Sequence, residues 1–461
     1  MKTNKKTNTT KLALFAGAAA LASLAPQSHA QSADALIDKL VDKGVLTVDE
    51  AKDLRVDADK DFKTAFAAKT GMPDWVTGYK LSGDLRGRFE QFSGDNSALV
   101  DRTRLRYRLR VGLAVNMLDD VEAGFRLGSG DPTKVNGSTV PSGNPVSANT
   151  TMQDNFSRKM VYIDAAYGKW TPINSDGWLL ATTVGKMDNP FQFTPMVFDP
   201  DITPEGAALT GGYTINDKHS IAFAGAAFVM DENSSNTHDP FMYGGQVILN
   251  SKWTPKLASS IGIGAFQIVN PEQLSVTNVP TVNLGNTRQL SGKYAGAPAY
   301  NFNPVIADIS TTYTLDSFPL YNGTFPIKLA GEFINNPGAP SNNNGYWAGI
   351  TFGKSGTKKT WDISYRYEYL EADAWYDQMV DDDHGAFYQN KPGFPNSDKG
   401  YFGGTNVKGH LIKFNYSFTD SLTFTASCFI NDLINADLAQ ASGGEPQSSS
   451  IHFMADLLWK F

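Results

Sequence analysis

Hydrophobic and polar residues alternate one by one over most of the chain that follows Trp75. Such a period of two predicts β-strands whose two faces meet different surroundings. The separation is sharpest between residues 102 and 111. One face carries Arg102, Arg104, Arg106, Arg108 and Arg110, and the other carries Thr103, Leu105, Tyr107, Leu109 and Val111. Five arginines on one face exclude a dry protein core on that side, because unpaired buried charges are too costly.

Sixteen segments show this pattern or a close variant of it. They lie near residues 78–90, 102–116, 121–129, 159–170, 178–187, 206–214, 219–230, 241–253, 257–268, 304–316, 326–336, 345–354, 358–371, 405–418, 421–431 and 448–461. Most have about the 9–11 residues that a tilted membrane-spanning strand requires. The connections alternate in length, with tight turns such as 118–120 and long loops near 130–158, 187–205, 269–303 and 372–404.

Tryptophan positions provide an independent test of this strand count. If successive strands reverse direction, six tryptophans fall at the end that carries the short turns, and Trp347 and Trp375 fall near the opposite rim. The six are Trp75, Trp170, Trp178, Trp253, Trp361 and Trp459. Tryptophan side chains concentrate at the two membrane–water boundaries of transmembrane barrels. The pattern therefore favours strands that cross a membrane.

We predict an all-β fold, a transmembrane antiparallel β-barrel of about 16 strands preceded by a short α-helical N-terminal segment. Closure is required because hydrocarbon offers no partner to the backbone groups of an open sheet edge. Sixteen strands enclose a wide, water-filled lumen, where inward arginines are solvated. The predicted lumen-lining residues are Arg86, Arg88, Arg102, Arg104, Arg106, Arg108, Arg110, Arg126, Arg366 and Glu368. A soluble sandwich or solenoid with a hydrated polar face remains the alternative.

The first thirty residues have the pattern of a signal peptide. Four lysines precede an apolar run from Leu12 to Leu24, and Ser28 and Ala30 provide small residues before a cleavage site. Residues 31–74 follow as a helical segment, since apolar residues between 33 and 68 recur at helical spacing. The barrel domain occupies 75–461. Cleavage after Ala30 would remove four positive charges, which changes the formal charge from −7 to −11.

Composition excludes several other classes of protein. The single cysteine, Cys428, rules out a disulfide scaffold and a cysteine-rich zinc module. A net charge of −7 disfavours a nucleic-acid binder, which needs a basic surface. No two histidines have the spacing of a metalloprotease motif, and no nucleophilic serine elbow is present. We therefore expect no enzyme activity, no cofactor and no metal site.

Four parts of the sequence resemble one family of Gram-negative outer-membrane porins, the putative porins, whose members begin with a short helical segment. They are DALIDKLVDKGVLTVDEAKDL at 34–54, RTRLRYRLRVGL at 102–113, NPFQFTPMVFDPDITPEGAAL at 189–209 and the terminal Phe461. The resemblance covers essentially the whole mature chain. It implies a location in the cell outer membrane and passive diffusion of small hydrophilic solutes and ions through the barrel.

The same resemblance implies details of the pore and its partners. Phe461 would be the signal that the barrel-assembly machinery reads, and the protein would assemble as a homotrimer among outer-membrane lipids. Porins fold the third long loop, here 187–205, into the barrel as a constriction. Its acids, expected to face the arginine row, are Asp188, Asp199, Asp201 and Glu205. The preference for anions or cations stays open. A secreted all-β glycan-binding or adhesion protein is the alternative function.

Overall fold

The computed structural model describes residues 73–94, 101–135, 138–234, 237–275, 284–385, 403–435 and 449–461, with the single positions 41, 47, 51 and 54. The chain divides into two compact units, Met1–Thr77 and Gly78–Phe461. The predicted signal peptide lies outside the described residues, as does the predicted helical segment 31–74 apart from those four positions and residues 73 and 74. Among these, the Ala51 amide donates to the Thr47 carbonyl oxygen at 2.9 Å. No helix in the described part of the chain is long and apolar enough to cross a membrane.

Nineteen strands are present in the described residues. Their bounds are β1 Val76–Gly94, β2 Arg102–Met117, β3 Val121–Gly130, β4 Pro132–Val135, β5 Ser138–Gly143, β6 Thr150–Thr151, β7 Met160–Ser175, β8 Trp178–Lys186, β9 Glu205–Asn216, β10 His219–Val229, β11 Phe241–Lys252, β12 Leu257–Val269, β13 Val305–Leu315, β14 Phe325–Asn335, β15 Asn344–Gly353, β16 Trp361–Leu370, β17 Val407–Ser417, β18 Leu422–Leu433 and β19 Ser449–Lys460. Two short 3₁₀ turns occupy Leu118–Asp120 and Pro271–Gln273.

Sixteen of these strands form one closed antiparallel ring, which confirms the predicted strand count. Each pairs with its neighbour along the chain, and β1 pairs with β19 from Asp84↔Lys460 to Gly94↔Ser450. The short strand β6 attaches to β2, and β4 pairs with β5 as a separate hairpin. A closed ring has no free edge, so its backbone groups find partners without water. The sandwich and solenoid alternatives are wrong.

The two faces of the strands differ as the sequence predicts. On β2, Leu105 is 52% exposed on the outer face, whereas Arg106 and Arg108 on the inner face are 7% and 6% exposed. Exposed tryptophans flank the short turns, as in Trp170, Trp178, Trp253 and Trp459. Trp347 and Trp375 differ from the prediction. Trp347 lies beside the inward Arg366, and Trp375 is completely buried, so neither belongs to an outer aromatic belt.

Two sets of connections alternate around the ring, one at each end of the strands. The short turns span 118–120, 176–177, 217–218, 253–256, 316–324, 354–360 and 418–421, and the long set begins after β1, β3, β8, β10, β12, β14, β16 and β18. Every connection longer than nine residues belongs to the long set, in which those after β1 (95–101) and β14 (336–343) are the two shortest. We number the long connections from 1 to 8. In this numbering, loop 2 spans 131–159, loop 3 spans 187–204, loop 5 spans 270–304 and loop 7 spans 371–406.

An apolar core lies inside the ring, which corrects the expectation of a lumen filled only with water. Loops 3, 5 and 7 pack their apolar side chains against inward residues near the long-loop ends of β10 to β16. The cluster includes Phe191, Met196, Val197, Phe198, Leu274, Phe302, Trp375, Tyr376 and Val380 from the loops and Phe228, Met242, Phe266, Ile306, Ile334 and Leu370 from the strands. Removal of this much apolar surface from water holds the loops within the ring.

Polar contacts connect loop 5 to loop 7 beside this core. The buried Asn286 side chain donates to the carbonyl oxygens of Ala372 at 2.6 Å and Trp375 at 2.7 Å. Arg288 forms an ion pair with Asp377 at 2.6 Å. Both partners in each case are buried, so the described parts of loops 5 and 7 are joined by hydrogen bonds and an ion pair that water does not reach.

Candidate functional site

The inward arginines of β2 are held by two acids of the adjacent strand β1. Glu90, which is completely buried, contacts Arg104, and its Oε1 lies 3.5 Å from Nη1 of Arg106. Asp84 binds Nε of Arg110 at 2.8 Å and Nη2 of Arg108 at 3.0 Å. Neighbouring antiparallel strands place side chains of the same face side by side, which explains the pairing. Two carboxylates of the neighbouring strand thus offset part of the charge of the five arginines.

The arginines of β1 form ion pairs with an acid of β19, the strand that closes the ring against β1. Arg88 binds both oxygens of Asp456 at 2.8 Å and also reaches Glu90 at 3.4 Å. Arg86 lies 3.9 Å from Asp456 and donates to the side chain of Asn149 at 2.7 Å. Because Asp456 can only meet β1 when the ring closes, this cluster depends on the complete barrel.

Two further residues that were predicted to line the lumen, Arg366 and Glu368, form a pair on β16, whereas Arg102 lies at the end of β2. Arg366 contacts Glu368 at 3.1 Å and lies over the ring of Trp347 at 5.8 Å. Arg102 is exposed at the long-loop end of β2. Arg366 and Glu368 lie two positions apart on one strand and so share a face.

Loop 3 contacts strands on the far side of the ring. The Gln192 amide donates to Gln246 of β11 at 2.8 Å, and the Thr194 hydroxyl donates to Glu332 of β14 at 2.5 Å. Around the ring, β14 is separated from β2 by β15, β16, β17, β18, β19 and β1 on the shorter side. Asp201, near the end of the same loop, binds Arg108 of β2 at 2.9 Å. The loop thus contacts nearly opposite walls.

The four acids predicted for loop 3 have different positions, and one of them contacts the arginine row. Asp201 binds Arg108 and lies 3.5 Å from Arg110. Asp188 instead binds Arg126 of β3 at 2.7 Å. Glu205 is the first residue of β9 and pairs with Lys186 at 3.1 Å. The expectation that all four face residues 102–110 was wrong, because nearer cations on β3 and β8 take two of them.

Asp199, the fourth acid, faces loop 7, which the sequence analysis did not place in the lumen. Its amide donates to the Met379 carbonyl at 2.7 Å, and the Asp381 amide donates to the Pro195 carbonyl at 2.9 Å. Carboxylate oxygens of Asp199, Asp381 and Asp382 consequently lie within 4.8 Å of one another. The alternation that identifies strands carries no information about where a loop folds, so the sequence offered no signal for this contact.

These three carboxyl groups have higher pKa values than ordinary aspartates. Burial first, and then the charge of Asp383, raise the pKa of Asp381 to about 7. Burial and the neighbouring carboxylates also raise the pKa values of Asp199 and Asp382 well above the ordinary range. Asp383 behaves differently: burial opposes its ionisation, but Arg88 at 3.4 Å and its basic neighbours lower its pKa. Loop 7 therefore presents both protonated and ionised carboxyl groups to the lumen near neutral pH.

Loop 2 also contacts the arginine row, at Arg106. Nη2 of Arg106 donates to the Ser147 hydroxyl at 3.3 Å and to the Asn149 carbonyl at 3.2 Å. Strand β6 continues this segment and pairs with β2 at Arg106↔Thr151. Loop 2 thus supplies two hydrogen-bond acceptors to Arg106, whose Nε has no partner within the described residues.

Two cavities lie on either side of these loops. One of about 680 Å³ is bordered by loops 2, 3 and 7 and by the ends of β3, β9 and β10. The other, of about 690 Å³, is bordered by Arg86, Arg88, Arg108 and Arg110 and extends to Lys460 at the short-turn end. Both cavities are lined by Ser147 and Asp201. Ser147 and Asp201 therefore lie at the boundary between the two cavities.

Phe461 lies at the closure of the ring. Its carbonyl oxygen accepts from the Gly83 amide at 2.8 Å, and its own amide donates to the Gly83 carbonyl at 3.1 Å. The aromatic side chain is 60% exposed. The terminal residue thus extends the β1–β19 pairing by one more position.

Comparison with known proteins agrees with this architecture. Residues 95–296, somewhat under half of the chain, match the family described as putative porin. OprB of Pseudomonas putida is similar over 83% of this chain and 94% of its own, with 11% identity and a TM-score of 0.51. OmpF of Salmonella typhi matches over 83% and 97%, with 8% identity and a TM-score of 0.45. A mutant of Rh. blastica porin matches over 83% and 100%, with 9% identity and a TM-score of 0.39.

No curated protein matches the sequence. At 11% identity, the similarity to OprB shows a shared fold and no more. The matched family region begins before β2 and includes the arginine row and the whole of loop 3. The resemblance that the sequence indicated is confirmed: this chain is a sixteen-stranded barrel that matches the putative porin family over residues 95–296.

Proposed function

We propose that this protein is an outer-membrane porin, a water-filled channel through which small hydrophilic solutes and ions diffuse passively. The observation that carries the proposal is the pair of cavities inside one closed ring, which border each other at Ser147 and Asp201. Polar and charged side chains line the second cavity, whereas exposed apolar side chains cover the outer face. This is the arrangement of a transmembrane barrel with an aqueous interior.

Loop 3 narrows this channel and contributes to its ion selectivity. Asp201 lies against the arginine wall, so a solute at the narrow place meets charges of both signs. Coulomb interactions are stronger in a confined, partly dehydrated passage than in bulk water. Since Glu90, Asp84 and Asp456 offset three of the positive charges on β1 and β2, we infer that the charge pattern, rather than the number of arginines, sets the preference for anions or cations.

Export and assembly follow from the same proposal. The signal peptide directs the chain across the inner membrane and is removed after Ala30. Phe461, at the end of the final strand, is the residue that the barrel-assembly machinery recognises, and three copies form the mature assembly among outer-membrane lipids. The protein needs no cofactor, and it acts as a channel rather than an enzyme.

Conductance of the purified full-length protein in a planar lipid bilayer tests this function. We expect stepwise conductance and a finite reversal potential in a KCl gradient. The Asp201→Asn variant should shift the reversal potential towards greater anion preference, because one negative charge leaves the narrow place. The Asp217→Asn variant, in an exposed short turn, should leave it unchanged. If a correctly folded barrel produces no conductance steps, the proposed function is wrong.

A further inference from the structure

Five polar residues form a continuous arc on the inner wall, away from the arginine row. Register pairs Lys328 of β14 with Thr351 of β15, Thr351 with Ser364 of β16, Ser364 with Lys413 of β17, and Lys413 with Ser427 of β18. Directly paired residues of antiparallel strands project from the same face of the sheet. All five line the cavity of about 690 Å³. The arc therefore presents two ammonium groups and three hydroxyl groups to one enclosed space.

The two lysines differ from the arginines in having no ion-pair partner within the described residues. Arg88, Arg108 and Arg110 each bind a carboxylate at 3.0 Å or less. For Lys328, the charge acts on Asp308 of the neighbouring strand, but the two side chains form no ion pair. The positive charges of these three arginines are thus paired within the protein, whereas those of Lys328 and Lys413 are available to attract a solute.

The dimensions suit a single solute of modest size. Lys328 and Lys413 lie three strand spacings apart, about 14 Å along the wall at the backbone. Thr351 and Ser364 occupy the interval between them. A carboxylate is recognised by ammonium groups, and sugar-like hydroxyl groups exchange hydrogen bonds with serine and threonine hydroxyls.

We propose that this arc is a binding site for polyhydroxylated organic anions of the sugar-acid type, which pass through the channel by way of it. Lys328 and Lys413 attract the carboxylate, and the hydroxyl groups of Thr351, Ser364 and Ser427 replace water around the rest of the solute. The inference rests on the proposed channel function and adds the class of solute to it.

Block of chloride current by added solutes tests this site in a planar bilayer. The probes are gluconate, glucose and propionate, which separate the contributions of charge and hydroxyl groups. We expect gluconate to reduce the current at lower concentration than either of the others. In the Lys328→Met/Lys413→Met variant, the half-blocking concentration of gluconate should rise about ten-fold, which is the scale of one charged hydrogen bond.

Matched variants separate a specific site from a general loss of charge. Lys256→Met removes an exposed lysine that pairs with Asp316 in a short turn, and it should leave gluconate block unchanged. Thr351→Val/Ser364→Ala should weaken gluconate block while propionate block stays the same. Should the double-lysine variant not fold, Lys413→Gln alone serves, with a smaller shift in the same direction.

The outcomes distinguish this inference from the proposed function. Equal block by gluconate and glucose would overturn the role of the lysines, and equal block by gluconate and propionate would overturn that of the hydroxyls. Chloride conductance without gluconate block would overturn the site while leaving the channel intact. Absence of any conductance would instead overturn the channel itself.

Discussion

Glu90 is the residue on which most of the arginine wall depends. It is fully buried and contacts Arg88, Arg104 and Arg106. The Glu90→Gln variant would leave three guanidinium groups close together without their shared anion. Loss of one partner from a buried charge cluster costs about 3–5 kcal/mol, so we expect the free energy of unfolding to fall by that order. Urea unfolding monitored by tryptophan fluorescence measures this, with Asp316→Asn as the exposed control. A midpoint shift no larger than that of the control would contradict the central role of Glu90.

Titration of Asp381 makes the charge inside the channel depend on pH. The pKa of this carboxyl group is about 7, because burial and the charge of Asp383 raise it. Below that pH the carboxyl group is neutral, and above it the carboxylate adds negative charge beside Asp199 and Asp382. Because the pKa of Asp381 is raised above its ordinary value of 3.8, the packing of loop 3 on loop 7 is most stable below that pH and weakens as pH rises from there to about 7.

We therefore expect the anion preference measured by reversal potential to decline between pH 5 and pH 9. Each added carboxylate repels anions from the cavity that it borders. Asp381→Asn should flatten the part of the profile centred near pH 7. Asp176→Asn, in a two-residue turn where asparagine also accepts the left-handed backbone, should keep the wild-type profile. A wild-type preference that does not change with pH would rule out titration of this group.

At the level of elements, the closure between β1 and β19 depends on the absence of a side chain at Gly83. A Cβ atom there would lie 2.4 Å from the backbone oxygen of Arg110 and 2.5 Å from the ring of Phe461. Gly83→Ala should therefore strain the last pairing of the ring. Gly87→Ala on the same strand is a matched control, since nothing lies within 4 Å of its Cβ position.

Mobility on cold SDS gels distinguishes folded from unfolded barrels. The temperature at which the folded band disappears should fall for Gly83→Ala and stay near the wild-type value for Gly87→Ala. Both variants replace a glycine of the same strand by alanine, so the difference between their two temperatures measures the steric effect of a Cβ atom at position 83. Equal temperatures would show that the closure tolerates a Cβ at position 83.

Loops 3 and 7 are held together by Trp375, whose side chain is completely buried. Its indole nitrogen donates to the Val197 carbonyl oxygen at 2.9 Å, and its ring packs edge-on against Phe198. Trp375→Ala removes a large side chain from a packed site, a change that typically costs about 3–5 kcal/mol. The strands do not depend on this contact, so the barrel should form while loop 3 loosens.

The expected result is a larger single-channel conductance and faster proteolysis within 187–204, with unchanged strand content by circular dichroism. Trp253→Ala, which removes an exposed tryptophan from a short turn, should alter neither property. Wild-type conductance in a folded Trp375→Ala barrel would show that loop 3 stays in place without the tryptophan.

For the whole molecule, the ring was predictable from the sequence and the interior was not. Alternation identifies a strand wherever its two faces meet different media, as in Arg104 and Leu105. Within the outer part of the ring the inward face itself becomes apolar, because it meets the core instead of water. On β12 the inward Phe266 and Ile268 are apolar and the outward Gln267 is polar and exposed, so the alternation continues with its two faces reversed. Apolar residues on the inward face near the long-loop end of a strand were the available signal for an internal core.

The partners of the predicted site residues were only partly accessible to sequence reasoning. Pairing of Arg108 with Asp84 follows from two neighbouring inward faces, so it could be inferred from strand register. Contacts such as Arg88 with Asp383 join residues almost 300 positions apart through a long loop. No local pattern fixes such a contact, because it depends on how three loops share one core.

Orientation in the membrane is a property of the entire ring, and the loop lengths predict it. Long loops of outer-membrane barrels face the exterior and short turns face the periplasm. An epitope inserted at 231–234 in the fourth long loop should thus bind antibody on intact cells. The same epitope at 318–322, in the longest of the short turns, should bind only after the outer membrane is opened, although Leu320 is 95% exposed in the isolated barrel. If antibody on intact cells bound the epitope at 318–322 and not the one at 231–234, the long loops would face the periplasm. Solutes from outside the cell would then enter the barrel at the end that carries the short turns.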